Sequence, residues 1–551
     1  MMRLNPREVD SLSHGIDRRH FLGCTALTLL GCTRPDDISG DFTGIHHGRG
    51  HLLQAARAGS EPSVTHQTDV LIVGGGVAGL AAARALHLKG VSDFALLELE
   101  DTCGGNSRSG MVGAMACPQG AHYLPLPGAD AWEVQDLLEE LGLRRRVAGR
   151  WVIDERHLCH SPQERLFFNG AWQEGLLPLH GVDAATLTQY RQFAILVEQA
   201  RARERWTIPV SKSPVTPLKQ ALAAITFESY LNQHGLHDEH LRWYLNYCCC
   251  DDYGAGLASV SAWAGIHYFA SRHGFSVPGM DFPERDGLLT WPQGNAWLTQ
   301  RLAAPLADRL HNGQVVLRIV EVKHGVEVEA FNTSKQRLER WQARRAIVAL
   351  PIFVAARVLQ NPPEFLRQAA ARTTYAPWLV ANIHIKTALH DRPGAAPSWD
   401  NVLYGDAQGA PGLGYVDAMH QNLQRVPGAT VLTYYRALGD APGGPNAARQ
   451  LLLNQPWATW RDAILRELAQ AHPDLPGKTT RIDITRYGHA MVLPVPGDLY
   501  KNVLHSPSNK HNKLQNSEQF KIQNGRLTFA HSDWAGYSVF EEAFTLGHHA
   551  A

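Results

Sequence analysis

Asp69-Val70-Leu71-Ile72-Val73-Gly74-Gly75-Gly76-Val77-Ala78-Gly79-Leu80 is the stretch on which the fold turns. Val70 to Val73 is a short apolar run closed by glycines, the pattern of a strand buried on both faces. Leu80 to Leu88 then has helical spacing and many alanines, and Phe94-Ala95-Leu96-Leu97 reads as a second buried strand. A strand, a helix and a strand within about thirty residues form the unit that binds dinucleotides. Its first turn carries G-x-G-x-x-G. Gly74 allows the tight turn, Gly76 lets the backbone approach a pyrophosphate, and Gly79 lets the helix pack on the strand. The free N–H groups at the start of the helix, at Val77 and Ala78, offer positive potential to the phosphates. Glu98, 24 residues after Gly74, stands where a carboxylate accepts hydrogen bonds from a ribose.

Outward from this unit the composition is that of a globular chain long enough for two or three domains, with 551 residues, 44% hydrophobic and 19% charged. Lys plus Arg and Asp plus Glu are equal at 52 each. That balance gives no basic surplus for nucleic acid and favours a small-molecule or protein partner, here a small-molecule substrate. The 8 cysteines and 28 histidines show no metal-ligand spacing, so no metal site is expected. The run Cys248-Cys249-Cys250 reads as small buried thiols.

A second glycine pair follows the ribose acid in Gly104-Gly105-Asn106-Ser107-Arg108-Ser109. Further blocks are Gly120-Ala121-His122-Tyr123, the strand pair Ile319–Val322 with Ile347–Pro351, and Phe529-Ala530-His531-Ser532-Asp533-Trp534-Ala535-Gly536-Tyr537. Together, in this order, they resemble the flavin-containing amine oxidase superfamily, which includes monoamine and polyamine oxidases and phytoene-type desaturases. The resemblance covers about half the chain in separated blocks. It implies FAD as cofactor, and an α/β fold in which a discontinuous Rossmann-like FAD domain (67–130, 285–370 and 480–551) is interleaved with an α+β substrate domain (131–284 and 371–479). By resemblance, Gly104, Gly105, Ser107 and Arg108 run beside the pyrophosphate, and Gly120 and Ala121 lie beside the flavin. Ile319 takes the adenine-contact position. Asp533 meets the ribityl chain or pyrophosphate, with Gly536 leading into a final helix, Phe540 to Ala550. Ser532-Asp533 replaces the family's Gly-Glu or Gly-Asp.

The resemblance also implies chemistry: oxidation of an amine, polyamine or amino-acid-like, by hydride transfer, with oxygen or a quinone as electron acceptor. Desaturation of an apolar substrate is the alternative, and a flavin-binding scaffold with little turnover is a third reading. The family's two aromatic walls are assigned to Tyr537 and Tyr487, the latter also readable, and more readily, as a core tyrosine at a strand end. The family's flavin-side lysine falls on Asn382; Lys386 shares that strand face but lies about 13 Å along it. His122 is either a catalytic group or a filled hydrogen-bond slot. Asp251 and Asp252 either attract a cationic substrate or end a helix in solvent.

The N-terminus is a separate matter. Arg18-Arg19 precedes an apolar run that ends in Leu29-Leu30-Gly31-Cys32. Residues 1–35 resemble a twin-arginine export signal with a lipoprotein cleavage box, implying a periplasmic protein with a possible lipid anchor on Cys32. Residues 36–66 read as a tether, and 498–524 as a polar surface insertion.

Overall fold

The structure is a computed structural model that describes residues 38–53, 61–160, 162–278, 287–405, 412–420, 426–497 and 522–551. The expected export signal with Cys32, and most of the expected insertion 498–524, lie outside these residues. Two sheets organise the rest. The first has a parallel centre ordered Leu310–His311, Phe94–Leu97, Val64–Val73, Arg337–Val348 and Leu527–Phe529. Val73, Leu97, Val348 and Phe529 end these strands in register. The hairpin Gln314–Val322 with Gly325–Asn332 extends this sheet antiparallel. The helix Val77–Leu88 is buried from Val77 through Leu86. Its alanines let the terminal helix Phe540–Ala550 come so close that a Cβ on Gly547 would stand 2.0 Å from the Ala78 carbonyl oxygen.

The second sheet has seven strands, ordered Thr479–Val492, Tyr375–Ile385, Thr430–Ala437, Gly412–Asp417, Asp400–Leu403, Glu164–Phe168 and Ala171–Glu174. Tyr375–Ile385 is buried at ten of its eleven positions, so it shows no alternation in sequence. Helices including Ala184–Arg203, Glu239–Tyr253 and Ala262–Ala270 pack beside this sheet. Among the described residues, no helix is long and apolar enough to cross a membrane.

The structure differs from the expected boundaries in two places. The strand Thr479–Val492 pairs with Tyr375–Ile385. Residues 480–492 therefore belong to the second sheet, and the last segment of the first begins at Ile522. Residues 38–53, expected as tether, are a fitted strap. Ser39 and Phe42 bridge Arg481 and Ile484 at the sheet edge. Gly40 and Gly44 have positive φ, and a Cβ on Gly40 would stand 1.8 Å from the Ile482 carbonyl oxygen. The strap continues to the first sheet's loop, where His46 Nδ1 lies 2.5 Å from Glu100 and Arg49 pairs with Asp101 at 2.7 Å. A polar composition suggested a tether. The docking depends on backbone pairing and two glycines, which leave no hydrophobic period.

Candidate active site

The glycine turn is held from both sides. Gly74 has φ +104°, and a Cβ there would stand 2.3 Å from the Ala349 carbonyl oxygen; one on Gly79 would stand 1.9 Å from that of Gly74. Gly76 is different: its Cβ would meet only Gly105 Cα, at 3.8 Å. Two positions are thus glycine for the fold and one leaves open space. Gly76 caps the helix Val77–Leu88 without a side-chain bond, so the N–H groups of the first turn face that space without a side-chain acceptor. Gly104 bridges Gly76, and its N–H donates to the Gly75 carbonyl at 2.8 Å. Glu98 is buried, accepting from Gly75 N–H at 2.7 Å and Glu100 N–H at 2.8 Å. Burial raises its pKa, against the pull of those two donors. Ser107 is buried beside Gly104, to whose carbonyl it donates at 2.9 Å. Arg108 donates to the Gly105 carbonyl at 2.8 Å and to that of Gly44, and lies 3.8 Å from Glu100.

The turn Pro118–Tyr123 is the seam between the two sheets. From the second sheet, Asn382 Nδ2 donates to the Pro118 carbonyl at 2.9 Å, Tyr487 to that of Gln119 at 2.7 Å and Tyr435 to that of Gly120 at 3.0 Å. On the other side, Ala121 N–H donates to the Asn106 carbonyl in the second glycine loop at 2.9 Å, and Asn295 Nδ2, at the start of the helix Ala296–Ala303, donates to the Tyr123 carbonyl at 2.8 Å. Gly120 is crowded here, since a Cβ would stand 2.1 Å from the Asn106 carbonyl oxygen. Three of the expected catalytic positions, His122, Asn382 and Tyr487, thus converge on one turn.

His122 stacks on Tyr435 with ring centres 4.3 Å apart and lies 5.5 Å from Trp399. Burial pushes its pKa down to about 3, so the ring is neutral. These rings, with Tyr123, line a cavity of about 190 Å³ whose walls also carry Glu164, Asp251, Asp400 and Glu541. Asp251 lies 3.4 Å from the Tyr123 hydroxyl, and Asp400 lies 3.5 Å from that of Tyr247. Burial, then the neighbouring Asp252, pushes Asp251 up to about 7. Burial and Asp251 raise Asp400 as well, and burial pushes Glu541 up to about 7. Asp252 is committed to Arg272 at 3.0 Å. The acid pair is therefore split: Asp251 faces the cavity, and Asp252 balances a buried arginine. Half-buried carboxyls beside aromatic rings suit a cation when ionised, and the Arg272 guanidinium on the same wall is paired with Asp252.

The family profile of flavin containing amine oxidoreductases matches residues 77–551. The chain belongs to this family. A curated relative, the flavin-containing amine oxidase B of Cavia porcellus, is 24% identical over 298 residues, covering 54% of this chain and 52% of the relative. The chain thus spans about half the length of the curated relatives it matches. Among solved structures, putrescine oxidase bound to putrescine is similar with a TM-score of 0.61 at 18% identity, covering 88% of this chain and 98% of that one. Cyclohexylamine oxidase from Brevibacterium oxydans gives 0.59 at 18%, covering 88% and 97%. At such identities these likenesses show the fold. Membership of the family makes the chain an FAD-dependent oxidoreductase.

The cradle at Gly76, the uncapped helix and Glu98 fit the family's cofactor. The remaining residues assigned to it from sequence are placed as follows. Asp533 is buried and accepts from Ile352 N–H at 2.9 Å and the Tyr375 hydroxyl at 2.5 Å, with His531 at 2.9 Å. Burial raises its pKa, but His531 and these donors outweigh burial and hold it below its ordinary value. Ile319 is in the core, its carbonyl accepting from Gln360 N–H at 3.0 Å. It is Gln314, at the start of that strand, that reaches the Glu98 carbonyl, at 2.8 Å. Gly536 takes a left-handed conformation that closes the turn Ser532–Ala535.

Tyr537 is not among the cavity-lining residues. It is wholly buried, donates to Glu542 at 2.8 Å, and packs against His267 at 5.3 Å. The family's aromatic context placed it at a wall. The left-handed turn at Gly536 aims it instead into the helical core. Tyr435, Trp399 and Asp400 were not singled out by sequence, because they stand on or beside strands whose neighbours are nearly all buried. Among the described residues, no cluster of His, Cys, Asp or Glu is arranged to hold a metal.

Proposed function

We propose that the chain oxidises a small primary amine that carries a second positive charge, such as a diamine or polyamine. The observation that carries this reading is the joining of aromatic rings and the carboxyls of Glu164, Asp251 and Asp400 in one buried cavity of about 190 Å³. An apolar desaturase substrate would bring no positive charge to these carboxyls, whereas a diamine's second ammonium would. In this reading Gly76, the first turn of Val77–Leu88 and Glu98 hold FAD by its pyrophosphate and ribose. Bound FAD supplies a two-electron acceptor for the hydride leaving the carbon next to nitrogen, with oxygen or a quinone regenerating it.

The chain's own residues bind and orient. His122, Tyr435 and Trp399 surround the reacting end of the amine in a dry aromatic setting. His122, being neutral, does not repel the amine. Asp251 and Asp400 hold the distal ammonium, which fixes how far the substrate enters. The product imine hydrolyses in water to an aldehyde and ammonia. We further propose, from residues 1–35, that the protein is exported with its cofactor and resides in the periplasm, with Cys32 as a lipid-anchor position.

The test is anaerobic titration of the FAD-bound protein with mono- and diamines, following the oxidised flavin band. Bleaching by diamines at concentrations well below those needed for monoamines of equal length is expected. No bleaching by any amine would overturn amine oxidation.

A further inference from the structure

The strands Arg144–Val147 and Arg150–Ile153 form a two-stranded hairpin that belongs to neither large sheet. Ala148 and Gly149 both have positive φ, the backbone of the tight turn that matches strand twist. From Arg145 through Val152 every residue is exposed, so both faces of the hairpin look into solvent. Among the described residues, three of the eleven exposed large hydrophobic side chains, Val147, Trp151 and Val152, stand on it. A two-stranded hairpin with neither face covered is marginal in water.

Its charge is equally uneven. Residues 143–153 hold Arg144, Arg145, Arg146 and Arg150 and no acid. Among the described residues only Arg144 has a carboxylate partner, Glu139 at 3.6 Å. Arg144 and Arg146 lie over the Trp151 ring at 3.6 and 5.3 Å from its centre. Their charge is therefore carried beside an apolar tip.

We propose that this hairpin docks the protein on an anionic phospholipid surface. Trp and Val enter the headgroup boundary, where an indole is apolar on its face and polar at its N–H. Arginines with long apolar stems reach out to lipid phosphates, each pairing adding to the attraction within a Debye length. A dry protein groove would have to satisfy the guanidinium groups of Arg145, Arg146 and Arg150 at once. A phosphate-lined surface does so at any orientation, which is why lipid is the occupant chosen.

The experiment is co-sedimentation of the full-length FAD-loaded protein with vesicles of phosphatidylcholine alone or mixed with phosphatidylglycerol. Wild type is expected to partition at least about 10-fold better onto the anionic vesicles and to be released by salt. The triple variant Arg145→Glu, Arg146→Glu, Arg150→Glu should lower the anionic partition by about 100-fold. Trp151→Ser should lower it less, with Trp151→Phe restoring most of the loss. Flavin absorbance and Tm check that each variant is folded. All proteins, wild type included, carry Cys32→Ser, so that no lipid on residue 32 holds them on vesicles of either kind. Equal binding to neutral and anionic vesicles, no binding by wild type, or an unchanged partition in the triple variant would overturn the proposal.

Discussion

The glycine turn and the acidic cavity are built on opposite plans. Gly74 to Glu98 is one continuous stretch, and its contacts with Gly104 and Gly105 come from residues just beyond it. The cavity draws His122 from a turn, Asp251 from the helix Glu239–Tyr253, Asp400 from a strand of the second sheet and Glu541 from the terminal helix. The first is a backbone device, in which glycines are required by steric contacts. The second is a side-chain device, in which burial changes what ordinary carboxyls do. Substitutions should therefore separate fold from cofactor in the turn, and substrate from cofactor in the cavity.

The largest effect is expected for Gly79→Ala. Its Cβ would stand 1.9 Å from the Gly74 carbonyl oxygen, so the variant should fail to give soluble folded protein, as read by yield and circular dichroism. Gly76→Ala sharpens the same contrast. Its Cβ has 3.8 Å to the nearest atom, so the variant should fold while losing FAD affinity by about tenfold or more, or about 1.4 kcal/mol, in a fluorescence titration. If Gly76→Ala also failed to fold, the open space would not be a cofactor cradle.

In the cavity, Asp251→Asn or Asp400→Asn should lower kcat/KM for a diamine by about 10–100-fold. A monoamine of equal length should change by less than about threefold, and FAD content should not move. A loss shared equally by both substrates would break the assignment of these carboxyls to a distal charge. The pH dependence tests the same carboxyl. Burial and Asp252 hold Asp251 at about 7, so it is neutral below that pH and charged above it. Diamine kcat/KM should therefore rise from pH 6 to pH 8 relative to that of the monoamine, and Asp251→Asn should flatten this rise. The same raised pKa makes wild-type stability fall as pH rises through about 7, because the folded state favours the protonated carboxyl. Asp251→Asn should accordingly gain more Tm at pH 8 than at pH 5. The smallest effect is expected for Tyr435→Phe, which removes the hydroxyl bond to Gly120 and should cost about 1 kcal/mol in denaturant unfolding.

How much was legible follows the same division. Gly74, Gly76, Gly79 and Glu98 were readable because their spacing is set by one strand, one turn and one helix. His122, Asn382 and Tyr487 were readable only through the order of family blocks, and the structure brings them to the turn Pro118–His122. Tyr537 went astray because a matching local context does not fix direction. One left-handed residue, Gly536, sends the ring into the core beside His267. Asp251 and Asp252 were visible as a pair with two readings. Which of them faces the cavity depends on Arg272, which arrives from just beyond the next helix to neutralise Asp252.

By itself the sequence determined the parallel α/β centre, the cofactor class and the position of the glycine turn. Each of these rests on local periodicity and backbone sterics that neighbours in the chain impose. Tertiary structure alone decided that residues 38–53 are a docked strap, that Thr479–Val492 joins the second sheet, and that Tyr435, Trp399 and Asp400 meet His122 and Asp251. The physical reason is that a strand buried on both faces carries no periodic mark of its direction. A carboxyl's charge is likewise set by desolvation and by partners distant in sequence, which no local pattern records.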